Sequence, residues 1–139
     1  MIFKNQEGET VLLFTITKIE TENHLLFVTG STHSGILKGI WKGDNSPVIG
    51  KSYQTELSFE IIDRKQVTVR QSQTDTEITI IDDKVRFTAI CENFDEIYFI
   101  RFSFDGLEML EIENDDFTIR EGDFISFSQQ FHEIGIYPY

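Results

Sequence analysis

A chain of 139 residues is long enough for one ordinary domain or for two very small ones that must lean on each other. Thirteen phenylalanines, four tyrosines and one tryptophan, against two prolines and nine glycines, exclude a disordered chain and supply bulk for a packed interior. The net charge of −12 is lopsided: residues 1–70 hold eight basic and eight acidic side chains, so the whole deficit falls on residues 71–139.

The amino-terminal MIFKNQEGET lacks the apolar run of a secretory signal, and no stretch approaches the roughly 18 apolar residues of a membrane span. Cys91 is single, which leaves no internal disulfide framework and no cysteine metal cluster. A cytoplasmic, reducing compartment is the expectation.

Strand patterns then follow one another. TVLLFTITKIE (10–20) and HLLFVTG (24–30) flank a polar turn, and ILKGIWKG (36–43) follows the small polar loop STHSG. GDNSP (43–47) is a turn cluster that Pro47 closes to any ladder. In SYQTELSFEII (52–62), Tyr53, Thr55, Leu57, Phe59 and Ile61 alternate with polar residues, the period of a half-buried strand.

QVTVRQ (66–71) and TEITIID (76–82) are short and β-branched, and the polar RQSQTDT between them is the best place for a unit boundary. KVRFTAICENF (84–94), EIYFIRFSF (96–104) and LEMLEIE (107–113) repeat the earlier rhythm. Asp105-Gly106 reads as a two-residue hairpin turn, which would pair Phe104 with Leu107, Phe102 with Met109, Ile100 with Glu111 and Tyr98 with Glu113. ENDD turns the chain again and DFISFSQQF supplies the last long strand. No segment demands a helix.

The two series match in order and at a nearly constant spacing. Phe14-Thr15 falls against Phe87-Thr88, Leu25 to Phe27 against Tyr98 to Ile100, Ile40-Trp41 against Glu111-Ile112, and Gly50 against Gly122. An all-β chain with little helix is expected, built by internal duplication as a tandem pair of small OB-like barrels. Residues 1–72 would form the first unit and residues 73–139 the acidic second. Closing each sheet removes edges that so small a unit could not otherwise protect.

The stretch GKSYQTEL (50–57), followed by a second β-unit, resembles a pattern found in small uncharacterised bacterial two-unit β-barrel proteins. Some of these look like immunity proteins of bacterial toxin systems, and that role is what the resemblance implies.

Catalytic signals are missing. His24, His33 and His132 have neither the i, i+4 nor the H-x-H spacing of metal ligands. In GSTHSG (30–35) the serines fall out of register for a nucleophile elbow, and no glycine-rich phosphate loop is present. Cys91 lies mid-strand with no basic neighbour to activate it. No enzyme, cofactor or metal site is expected.

The acidic cluster carries more. Asp95, Glu96, Tyr98, Glu111, Glu113, Asp115 and Asp116 converge at the far end of the expected hairpin. Such convergence could bind calcium, although the EF-hand pattern is missing, or it could receive lysines and arginines of a partner around the tyrosine ring. The expected function is therefore a non-catalytic binding protein whose acidic unit engages a cationic protein, such as a toxin domain. No membrane partner is expected, and the acidity weighs against nucleic acid at the second unit. The alternative is an OB-type module that binds single-stranded nucleic acid or oligosaccharide through Trp41, Lys38 and Lys42 of the first unit.

Overall fold

The computed structural model describes residues 11–72, 75–102 and 106–139. They form an all-β molecule, and no helix among them is long and apolar enough to cross a membrane. The first four strands are β1 (Leu12–Glu22), β2 (Leu25–Thr32), β3 (Gly35–Trp41) and β4 (Ser52–Phe59). The last is β13 (Ile134–Pro138), and these five close a barrel.

The order around the ring is β1, β2, β3, β13, β4 and back to β1. Every contact is antiparallel except β3–β13, where Gly135 lies beside Ile40 and Ile136 beside Trp41. Alternation decides which side chains fill the interior: Leu12, Phe14 and Ile16 of β1, Val28 of β2, Leu37 of β3 and Ile136 of β13 are all buried. The fifth barrel strand thus comes from beyond the boundary that the sequence suggests after residue 72.

Among the described residues eight further strands follow, six of which extend the same sheet while two, paired parallel, form a small sheet of their own. The eight are β5 (Ile62–Asp63), β6 (Thr68–Arg70), β7 (Glu77–Ile81), β8 (Lys84–Phe94), β9 (Ile97–Arg101), β10 (Leu107–Leu110), β11 (Ile112–Glu113) and β12 (Phe124–Gln130). β8 pairs with β7, β9 and β12, β9 pairs with β10, β12 with β6, and β11 with β5. Single turns of 3₁₀ helix at Arg64–Gln66 and Phe131–Glu133 precede β6 and β13.

The two series of strands keep step. β1, β2, β3 and β4 begin at positions 12, 25, 35 and 52, while β8, β9, β10 and β12 begin at 84, 97, 107 and 124, so one step relates all four pairs. The β1–β2 turn holds Asn23 and His24 at φ of 52° and 65°, and the β8–β9 turn holds Asp95 and Glu96 at 52° and 68°. Both are therefore primed hairpin turns with two left-handed residues. Gly50 and Gly122, at φ of 88° and 93°, hold the third position of the turns that lead into β4 and β12. A register shift falls between Ile16 and Lys18 in β1, whereas β8 runs without one through its pairings with β9 and β12. This bulge is why Phe14 and Phe87, one position out of the common step, both face inward.

Aromatic packing joins the halves. Phe59 of β4 meets Phe87 of β8 edge-on at 5.0 Å and Phe127 of β12 at 5.4 Å, while Phe87 and Phe127 stack at 5.3 Å. Beside this cluster β3 runs parallel to β7, with Gly35 opposite Ile78 and the Ile78 amide donating to the Ser34 carbonyl at 2.8 Å.

The β9–β10 hairpin departs from the expected register. Its last pair is Arg101–Leu107, followed inward by Ile100–Glu108, Phe99–Met109 and Tyr98–Leu110, a shift of three residues. Phe104 and Asp105 lie outside the described residues. The Phe102 amide donates to the Gly106 carbonyl, and the Phe102 ring is fully buried 6.1 Å from Phe87. Phe102 continues the inward series of Tyr98 and Ile100, and the ladder ends one residue before it. Because the shift is odd, the faces exchange: Met109 points to solvent, and Glu108 points inward, where it accepts the Leu57 amide at 2.9 Å.

Candidate functional site: an acid-rimmed cleft

Beyond the β9–β10 hairpin, the chain from Glu111 to Asp123 forms a long connection held by its own polar side chains. Asp115 accepts the Phe117 amide at 3.0 Å, and Asp116 accepts the Thr118 amide at 3.2 Å and the Thr118 hydroxyl at 2.6 Å. These are the local turns that aspartate favours. The Arg64 guanidinium reaches across to Asp116 at 3.0 Å and to Thr118 at 2.9 Å, and Asn114 donates to Asp63 at 2.6 Å.

Those donors hold two carboxyls below the usual range. The Thr118 hydroxyl is the main cause for Asp116, and the Lys65 amide, followed by Asn114, for Asp63.

A cleft of about 420 Å³ opens between this connection and the hairpin. Ile97, Met109, Leu110 and Ile112 give it an apolar lining; Glu96, Glu111 and Asp115 give it an acidic one. Four of the seven acidic-cluster residues singled out by sequence meet here: Glu96, Tyr98, Glu111 and Asp115. Tyr98 is only 6% exposed, and its hydroxyl donates to Asp115 at 2.8 Å. Burial, reinforced by that carboxylate, pushes its pKa well above the ordinary phenol value. Tyr98 therefore braces the rim and offers little ring to a partner.

Asp95 sits in the neighbouring turn. Glu113 pairs along β5 and Asp116 is engaged by Arg64, so these three stand outside the cleft itself.

Apolar side chains stand exposed around the acids. Phe94 (49%), Ile97 (47%) and Met109 (55%) share the outer face of β8–β9–β10, and the half-buried Phe99 packs edge-on against Phe94 at 5.5 Å. Phe117 is 77% exposed at φ of 60°, a backbone region that bulky residues avoid. Sequence reasoning missed these residues because alternation alone assigns an apolar strand face to the interior. The available signal is the doubled apolar pattern of FDEIYFI (94–100), with Phe94 and Ile97 on one face and Tyr98 and Ile100 on the other.

The residues of the alternative site are not brought together. Trp41 points into the barrel, 7% exposed, with its indole N–H donating to the Asn45 carbonyl at 2.8 Å and its ring edge-packed on Tyr53 at 5.0 Å. Lys38 projects from the opposite face of β3, and its ammonium lies 3.0 Å from Glu20 and 4.5 Å from the centre of the Phe131 ring. Lys42 is exposed beyond the end of the strand.

In the GSTHSG loop, Ser34 shares a hydrogen bond of 2.9 Å with Thr76, and the Thr32 hydroxyl accepts the Ser34 and Gly35 amides. Among the described residues, no three His, Cys, Asp or Glu side chains are grouped to hold a metal ion.

Comparison with protein-family models, curated proteins and solved structures gives no match to this chain.

Proposed function

We propose that this chain is a non-catalytic binding protein whose acidic second half engages a cationic protein. The observation that carries the reading is the cleft itself: an apolar lining that includes the half-exposed Ile97 and Met109, carboxylates at its rim, and solvent-facing Phe94 and Phe117 outside it. Exposed apolar surface bordered by charge is the usual anatomy of a protein interface, in which burial supplies affinity and the carboxylates supply steering and register. The family resemblance adds the class of partner, a bacterial toxin domain that the chain neutralises in the cytoplasm. The nucleic-acid or oligosaccharide reading has less support, since the tryptophan on which it depends is enclosed.

The fold reading belongs with it: the chain is an internal duplication of an OB-like unit. Support comes from the five-strand ring with its one parallel contact, the step common to four strand pairs and the recurrent primed turns. On this reading the units trade their final strands. β6, which follows the first 3₁₀ turn, pairs with β12 of the second unit, and β13, which follows the other, pairs with β4 of the first.

Affinity capture from native lysate tests the function. The immobilised protein should retain a basic protein at low salt and release it as salt rises, while the Glu96→Lys/Glu111→Lys variant retains none. Capture that survives the charge reversal, or no capture at either salt, refutes the proposal.

A further inference from the structure

The outer faces of β1–β2 and β8–β9 correspond position for position, yet among the described residues only the first is covered. On the first, Phe27 is buried although it points away from the barrel. The cover is the 3₁₀ turn Phe131–Glu133, which packs against β3. Lys38 lies over both rings, 5.7 Å from the centre of Phe27 and 4.5 Å from that of Phe131, and its ammonium is held by Glu20.

One step along the chain, Glu92 lies opposite Phe99 as Glu20 lies opposite Phe27, and Ile97 of β9 stands where β2 has Leu25. Glu92 is likewise occupied by a cation, Arg101. The third strand differs, because the shifted β9–β10 register sets Met109 opposite Phe99. Phe94, Ile97 and Met109 remain about half exposed, and the described residues place no ring or cation from outside this face over Phe94 or Phe99.

We infer that this second face is the apolar half of the docking surface. Its occupant is a short basic segment of the partner that lays an aromatic side chain on Phe94, Ile97, Phe99 and Met109, with flanking lysines or arginines reaching Asp95, Glu96 and Glu111. The inference rests on the proposed function and narrows it from a charge preference to a recognition element. The first half supplies the pattern, since there an aromatic and an ammonium together cover the corresponding strand. Charge decides the source. A second copy of this chain would bring its own net charge of −12 against the same acidic rim, whereas a basic segment gains from it. Cations seated over the aromatic face add to the attraction.

Two fluorescein-labelled lysine-rich peptides test this by anisotropy at low salt, one with a central phenylalanine and one with glycine in its place. The phenylalanine peptide is expected to bind at least about tenfold tighter, a difference of about 1.4 kcal/mol. Ile97→Ser/Met109→Ser should erase that advantage while leaving the glycine peptide unchanged. Both positions are solvent-facing, so the variant retains its fold, which a urea melt confirms.

Equal binding of the two peptides, or an advantage that survives the double substitution, overturns the inference and leaves the electrostatic reading intact. Failure of both peptides to bind at low salt overturns that reading as well.

Discussion

Replacing Phe117 by glycine should separate stability from binding. An L-residue in the left-handed region stores about 1–2 kcal/mol, which glycine releases. Against this stand two costs. Phe117 is 77% exposed, so roughly 45 Å² of a side chain of about 200 Å² is covered, worth about 1 kcal/mol at roughly 25 cal/mol per Å². Glycine also adds about 0.5–1 kcal/mol of unfolded-state entropy.

The terms cancel to within about 1 kcal/mol, or a Tm change under about 5 °C for a chain of this size. A buried ring such as Phe87, truncated to alanine, should cost about 3–5 kcal/mol. If Phe117 serves the interface, the same variant should bind the captured partner at least about tenfold more weakly. Urea melts give the first quantity and partner titration the second. A stability loss above about 2 kcal/mol, the scale of a core defect, with unchanged binding refutes the reasoning. Phe117 would then pack within the fold and contribute nothing outside it.

Gly35→Ala tests the seam between the halves. A Cβ there would lie 1.9 Å from the Ile78 carbonyl oxygen, at a φ of 141° that side chains resist, so a loss of about 3 kcal/mol or more is expected in a urea melt. A loss under about 1 kcal/mol, ordinary for a surface change, would mean the β3–β7 contact is dispensable. Cys91 is fully buried, and burial, with Asp123 and its neighbours adding negative charge, pushes the thiol from 9.0 to about 12. At pH 8 its thiolate population falls about a thousandfold, so iodoacetamide should modify it only as fast as the protein opens. Modification of the native protein at the rate of a free thiol contradicts its placement.

Most of the strands are legible in the sequence because alternation is a local signal. The repeated step is legible because primed turns and positive-φ glycines leave marks at fixed places. The β9–β10 register is not. Asp105-Gly106 carries the chemistry of a tight turn, yet the ladder ends at Arg101–Leu107, and the packing of Phe102 against Phe87 of the preceding strand is a tertiary contact that turn chemistry does not report. The same shift exposes Met109 and turns Glu108 inward, so the sequence locates the acidic cluster but not the apolar half of its surroundings. Asp116 reads as a free carboxylate because Arg64, far away in the chain, gives no local sign that it will arrive there.

The barrel that opens with Leu12 is closed by Ile134–Pro138, which supplies ladder bonds to both β3 and β4. On the ribosome, the edges of β3 and β4 that face this strand must therefore wait, ladder bonds unmade, until residues 134–138 have been made, while β1, β2, β3 and β4 can already pair with one another. Deleting that stretch would undo the amino-terminal half first, and a tag inserted directly after Tyr139 would sit next to the strand that completes the ring.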